Sequence, residues 1–330
     1  MPPEQPGALV LRRFLLLAAV SLSFLVLFRA SDSLGFPPRF SFPSGSSASD
    51  DSPLVSGENR LEKVLKDAAM GDGTVILTTL NEAWAAPNSV IDLFLESFRL
   101  GDGTLRLLNH LVIIALDQKA FARCLVVHTH CFSLVSEGVD FHREAYFMTP
   151  DYLKMMWRRI DFLRSVLEMG YNFVFTDADV MWFRDPFPQF YLDADFQIAC
   201  DHFIGSSDDV QNRPNGGFNY DVLNIIKFDS FVTDIGLKMK FLDTAYFGGL
   251  CEPSKDLNLV CTMHANCCYG LDSKLHDLRI MLQDWKQYMS LPPSLKRVSI
   301  LSWTVPQNCS LDSLQHYDSP GKDLQEEWQD

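Results

Sequence analysis

Short apolar runs alternate with helical patterns from residue 61 to residue 200, and that alternation leaves few folds open. Leu61, Val64, Leu65, Ala68 and Ala69 share a helical face that stops at Gly71. Thr74 to Leu80 (Thr-Val-Ile-Leu-Thr-Thr-Leu) reads as a strand. Asn88 or Ser89 can cap the next helix, through Ile91, Leu95 and Phe98 to Gly101. Leu111 to Leu116 is a second buried strand ending at Asp117, and Cys124 to His128 reads as a third. Thr149-Pro150-Asp151 opens a helix whose apolar positions 153, 156, 157, 160, 163 and 167 keep helical spacing until Gly170. Phe173 to Thr176 and Phe196 to Cys200 are further strands. Strands separated by helices imply an α/β fold, a mostly parallel sheet with helices on both faces. Ligands of such sheets bind beyond the carboxyl ends of the strands. Thr78, Thr79, Asn81, Asp117, Asp177 and Asp179 fall at such ends and are the candidate ligand-binding residues.

Two of these residues carry specific chemistry. Asp177 and Asp179 follow an apolar run and precede the aromatic turn Met-Trp-Phe-Arg-Asp-Pro-Phe. On extended backbone, side chains at i and i+2 point the same way. Both carboxylates can then hold one hard cation that takes the rest of its shell from water and substrate phosphates. Asn215-Gly216-Gly217-Phe218 lies downstream. Its glycines allow close backbone approach to a ligand, and Asn215 could bond sugar hydroxyls. In Cys261-Thr-Met-His264-Ala-Asn-Cys267-Cys268 the spacing suggests zinc at first. In an oxidising compartment the cysteines are better read as disulfide-bonded or buried, which leaves His264 as a third ligand. An imidazole beside two carboxylates moves the preference from magnesium toward manganese. Lys274 is a candidate counter-charge for a departing diphosphate, with Arg158 and Arg159 on the preceding helix as lesser candidates, since helix-surface arginines are usually just solvated.

The N-terminus sets the expected compartment. Phe14 to Phe28 is apolar apart from two serines, with Arg12 and Arg13 before it and Arg29 after. It is short against the roughly 20 residues of an ordinary span, so a cleaved signal peptide is the rival reading. The sequence Leu27-Phe28-Arg29-Ala30 makes a poor cleavage context, however. The organisation expected is a cytoplasmic tail (1–13), a membrane anchor (14–28), a disordered stem (29–57), a globular domain (58–310) and an acidic tail (311–330). All eight cysteines lie beyond the anchor, as a lumenal domain would have them. Their connectivity is open on spacing alone. Asn308-Cys309-Ser310 is a glycosylation sequon, usable if Cys309 is not already paired. A net charge of −14 disfavours nucleic acid as a partner.

Longer phrases resemble a known family. Thr-Val-Ile-Leu-Thr-Thr-Leu-Asn (74–81), Phe-Met-Thr-Pro-Asp-Tyr-Leu-Lys-Met-Met-Trp-Arg-Arg-Ile (147–160), Phe-Thr-Asp-Ala-Asp-Val-Met-Trp-Phe-Arg-Asp-Pro-Phe (175–187) and Cys-Glu-Pro-Ser-Lys-Asp-Leu (251–257) resemble the plant nucleotide-diphospho-sugar transferases. These are glycosyltransferase family 77 and its uncharacterised relatives, and Cys261 to Cys268 belongs to the same pattern. The resemblance implies a GT-A-like domain, a Golgi membrane protein of type II topology, and manganese dependence with magnesium second. It also implies a UDP-pentose donor (xylose or arabinose) and an acceptor such as pectin or a hydroxyproline-rich glycoprotein. Carried over, Asp177, Asp179 and His264 would hold the metal, and retention of configuration is expected.

One departure stands out. The family has an aromatic and Arg-rich helix and a His-Asp-Gln motif after the Asn-Gly-Gly-Phe strand; here Asn219-Tyr220 runs directly into Asp221-Val-Leu-Asn224. An inactive splice or gene-model form, at most a lumenal binding protein, is therefore the alternative. A haloacid-dehalogenase-type phosphatase also opens on Asp-x-Asp, but would carry Thr or Val where Met181 stands.

Overall fold

A computed structural model describes residues 53–134, 149–215, 227–296 and 301–309. Its centre is a four-stranded, wholly parallel sheet in the order β3-β2-β1-β4: β1 (Thr74–Leu80), β2 (Leu111–Ala115), β3 (Cys131–Ser133) and β4 (Asn172–Phe175). Alternate side chains feed two cores, as the pleat requires. Val75, Leu77, Val112 and Ile114 pack against Leu61 and Leu65 of α1 (Pro53–Ala68) and Phe162 and Val166 of α5 (Pro150–Glu168). Ile76, Leu80, Ile113 and Ala115 face Phe94 and Phe98 of α3 (Val90–Leu100) and Leu278, Met281 and Trp285 of α7 (Leu271–Ser290). All these residues are essentially inaccessible, and full burial of each such side chain stabilises by about 1.5–3 kcal/mol. Helices on both faces explain why β1 and β2 read as unbroken apolar runs.

The helix starts follow their caps. Thr149 accepts the N–H of Tyr152 and Pro150 occupies the first turn of α5. Asp117 does more than expected of it. Its Oδ1 accepts the N–H of Ala120, capping α4 (Gln118–Val127), and its Oδ2 accepts the N–H of Glu82 at the start of α2 (Glu82–Ala85).

The third strand expected at Cys124 to His128 is instead the end of α4. Ala120 and Cys124, one helical turn apart, are buried, while Leu125 and Val126 are 59% and 76% exposed. An apolar run with its side chains in solvent mimicked a buried strand. The strand itself is Cys131–Ser133, tied back to the helix by the Cys124–Cys131 disulfide.

Beyond β4 the sheet is not simply continued. A second sheet, β5-β10-β9, comprises β5 (Val180–Trp182), β9 (Phe247–Gly249) and β10 (Thr262–His264), with β10 antiparallel to β5 and parallel to β9. A third, β7-β6-β8, comprises β6 (Phe196–His202), β7 (Arg213–Pro214) and β8 (Met239–Leu242). The expectation of a mostly parallel sheet holds for the centre, and these flanking sheets are mixed. Two short helices, α6 (Ser230–Asp234) and α8 (Pro293–Lys296), and two 3₁₀ turns, Leu105–His110 and Phe187–Gln189, complete the described elements.

The segments read as tail, anchor, most of the stem and acidic C-terminus lie outside the described residues. Among the described residues no helix is long and apolar enough to cross a membrane.

Candidate metal and nucleotide site

The chain turns as it leaves the central sheet. After Phe175, Val180 N–H donates to the Asp177 carbonyl at 3.1 Å, and β5 then sets off in the second sheet. Asp177 and Asp179 therefore sit in a turn between two sheets, not on extended backbone as the i, i+2 argument assumed. The turn still brings their carboxylates to one place. Antiparallel pairing supplies the third group: His264 stands opposite Val180, and Ala265 N–H donates to the Asp179 carbonyl at 3.0 Å. That register carries an imidazole 85 positions away in sequence to the carboxylate pair. Asp177, Asp179 and His264 each offer one ligand atom, all within 4.8 Å of one another.

Asp179 is the most deeply buried of the three, with 2% of its side chain exposed. Its Oδ2 accepts from Lys274 Nζ at 2.5 Å, and its Oδ1 lies 3.2 Å from His264 Nε2. Burial raises the Asp179 pKa, but Lys274 and His264 outweigh it and hold the carboxyl well below the usual range. For His264 burial works downward, and the carboxylates of Asp179 and then Asp177 reverse it to a net rise. Asp179 Oδ1 is fully buried yet accepts no well-directed hydrogen bond. A buried carboxylate oxygen without a donor is costly unless a cation satisfies it. Two carboxylates and one imidazole are also the donor chemistry of a hard or borderline divalent ion. The residues present fit such an ion.

Around this cluster lie residues that sequence reasoning placed differently. Arg159 is the arginine of α5 that reaches the site: its Nη1 is 2.9 Å from Asp177 Oδ1, and its guanidinium lies over the Phe175 ring. Arg158 is exposed. Helical phase carries the distinction, because Arg159 lies in line with the buried Met156, Phe162 and Val166. Trp84 was not singled out at all, although its ring lies 5.5 Å from Lys274 Nζ. Nothing in its local pattern marks it.

Of the remaining candidates, Asn81 caps α2 by accepting from Trp84 N–H. Thr78 is inaccessible, and its Oγ1 has no hydrogen-bond partner; Thr79 is half-buried. Asp117 spends both oxygens on helix starts, as described above. Asn215 donates to Asp201 Oδ1 at 2.6 Å, and Asn266 donates to the same oxygen at 2.7 Å. Neither Asp201 nor Asn266 was foreseen. Gly249 makes room here, since a Cβ on it would stand 2.3 Å from the Asn266 side chain. Gly216, Gly217 and the Tyr220–Asp221 join lie outside the described residues.

The cysteine-rich stretch forms disulfides, Cys251–Cys267 and Cys268–Cys309, rather than a zinc site. Cys200 and Cys261 are free, buried thiols. Burial, then Asp201 and Glu252, pushes Cys200 up to about 12, which keeps it a protonated core residue. Asn308 is exposed, but its neighbour Cys309 is already paired.

Fold and site define a class: an α/β domain with a carboxylate–imidazole cluster where the central sheet ends. Comparison with known proteins gives the family. The sequence model of the nucleotide-diphospho-sugar transferases matches residues 106–220 and 219–278, and the chain belongs to that family. It is 48% identical over 278 residues to the uncharacterized protein At4g15970 of Arabidopsis thaliana, covering 76% of this chain and 73% of that one. It is 38% identical over 281 residues to the uncharacterized protein At1g28695 of the same plant, covering 76% and 84%. No solved structure matches. Both alignments are longer than the 76% of this 330-residue chain that takes part, so each relative carries residues that this chain lacks. The family match itself comes in two stretches that meet at residues 219–220.

Proposed function

We propose that the chain is a metal-dependent glycosyltransferase, moving a pentose such as xylose or arabinose from UDP to a cell-wall acceptor. Pectin or a hydroxyproline-rich glycoprotein is the acceptor class. The observation that carries this reading is the convergence of Asp177, buried Asp179 and His264, whose ligand atoms lie within 4.8 Å of one another, with two cations alongside. Asp177, Asp179 and His264 would hold manganese, with magnesium second. The ion would supply charge stabilisation to the departing diphosphate. Lys274 and Arg159 would add positive charge toward the diphosphate, which leaves as the bond from the anomeric carbon to its oxygen breaks. The burial of Asp179 keeps water from screening those charges. As the acceptor hydroxyl attacks, positive charge develops on the sugar ring, and family likeness favours retention. A type II anchor over residues 14–28 and a lumenal Golgi domain complete the proposal.

The test is a panel of UDP-sugars incubated with the purified chain in manganese, magnesium or chelator, with a generic phosphomonoester alongside. Turnover of a UDP-pentose in manganese supports the reading. Phosphomonoester cleavage without UDP-sugar turnover would overturn it. Protection of the domain from protease in sealed microsomes, and resistance to carbonate extraction, test the topology.

A second reading has its own support in the join at Tyr220–Asp221. The relatives' extra residues and the two-part family match favour a form that binds donor without transferring sugar. Manganese-dependent UDP binding without turnover would select it.

A further inference from the structure

Each carboxylate in the turn after β4 already has a cation of the chain beside it. Arg159 Nη1 is 2.9 Å from Asp177 Oδ1, and Lys274 Nζ is 2.5 Å from Asp179 Oδ2. The cations come from different helices, α5 and α7, and their side chains are only 12% and 18% exposed. Arg159 rests on Phe175 at 4.6 Å. Lys274 lies over Trp84 and also donates to the Ala265 carbonyl at 3.1 Å. Two carboxylates and two held cations sum to no net charge, with His264 still to be counted.

Such a cluster treats two visitors differently. A bare divalent ion meets carboxylates already neutralised and two like charges close by. An ion arriving with a nucleotide diphosphate brings the anion to which those cations can turn. Both side chains suit the exchange. The guanidinium fork matches phosphate as well as carboxylate, and the lysine has three donors on a flexible stem.

We propose that Arg159 and Lys274 pass from the Asp177 and Asp179 carboxylates to the donor's diphosphate, so that ion and nucleotide bind as a pair and the free ion binds weakly. Arg159 thereby becomes a positioning residue of the site. The inference rests on the metal-and-nucleotide reading above and adds the order of events to it.

Manganese titrations of the full chain, followed by the free-ion paramagnetic resonance signal with and without UDP, test the exchange. In the unaltered chain UDP should strengthen manganese binding by about tenfold or more. Lys274→Met and Arg159→Gln should each tighten binding of manganese alone several-fold and shrink the gain brought by UDP. Arg164→Gln, an exposed charge on the same helix as Arg159, should change neither quantity. Merely structural damage would weaken manganese binding, the opposite direction, and the two variants lie on separate helices should one fail to fold. If manganese alone binds both variants no better while UDP still strengthens it in the unaltered chain, the exchange is wrong and the metal site stands. If UDP binds the unaltered chain with no regard to manganese, both are wrong.

Discussion

The central sheet β3-β2-β1-β4 and the flanking sheet β7-β6-β8 solve the same problem unequally. In β2 all five residues are buried, and helices cover both faces. In β6 Cys200 is the single buried residue of seven. Around β6 stand large apolar side chains in solvent: Ile204, Val210, Phe228 and Ile235, the last two 55% exposed. Residues 216–226, between β7 and α6 in the chain, lie outside the described residues and contain the Tyr220–Asp221 join. The central strands are thus fully covered, while β6 and the segments that follow it leave apolar side chains in solvent. Apolar surface of that kind invites association or aggregation. The site lies at the edge of the complete sheet, with Asp177 and Asp179 in the turn between β4 and β5 and His264 on β10 beside them.

The largest effect should come from filling the join. Placing the relatives' intervening segment between Tyr220 and Asp221 should raise soluble yield and bring donor turnover from little or none to a readily measured rate. A chain as written that turns over a UDP-pentose as fast as the filled one would remove the contrast between the sheets.

Core truncations sharpen the same contrast. Ile113→Ala in β2 should cost about 3–4 kcal/mol, as truncation of a fully buried core isoleucine on a strand with neighbours on both sides. Ile198→Ala in the half-buried β6 should cost about 1 kcal/mol or less. Urea unfolding reads both, and equal losses would mean that the second sheet is as well covered as the first.

A smaller loss should follow at the C-terminal tie. Asp277, inaccessible in α7, accepts the N–H groups of Gln307, Asn308 and Cys309 and pairs with His276. Burial raises its pKa, but the His276 contact and the three backbone donors outweigh it and leave it lowered. Its stabilisation is therefore complete above the ordinary carboxylate pKa of about 4 and lost as pH falls through the lower folded value. Asp277→Asn should cost about 2 kcal/mol at neutral pH. It should also flatten the acid limb of the stability profile; a limb of unchanged slope would assign acid sensitivity elsewhere. Smallest of all, Thr78→Val should be neutral or slightly stabilising, because the buried hydroxyl it removes has no partner.

The division between the sheets also marks what the sequence could reveal. β1 and β2 were legible because burial on both faces writes an unbroken apolar run, and α5 because Thr149-Pro150 is an explicit start. Asp177, Asp179, His264 and Lys274 were legible as residue types, and they converge. What brings them together, a turn after β4 and antiparallel pairing of β5 with β10, is long-range register that no local pattern records. Asp117 looked like a ligand residue because a carboxylate at a strand end serves equally well as a helix cap. Three-residue strands such as β5, β9 and β10 are too short to show a period.

The central claim is that Asp177, Asp179 and His264 hold the ion through which a nucleotide diphosphate binds. Thermal unfolding of the chain and of Asp179→Asn, with UDP in manganese or in chelator, tests it most directly. The account predicts that UDP raises the midpoint of the unaltered chain only with manganese present. It predicts no such rise for Asp179→Asn, which should remain folded. Equal stabilisation by UDP in chelator and in manganese would contradict it.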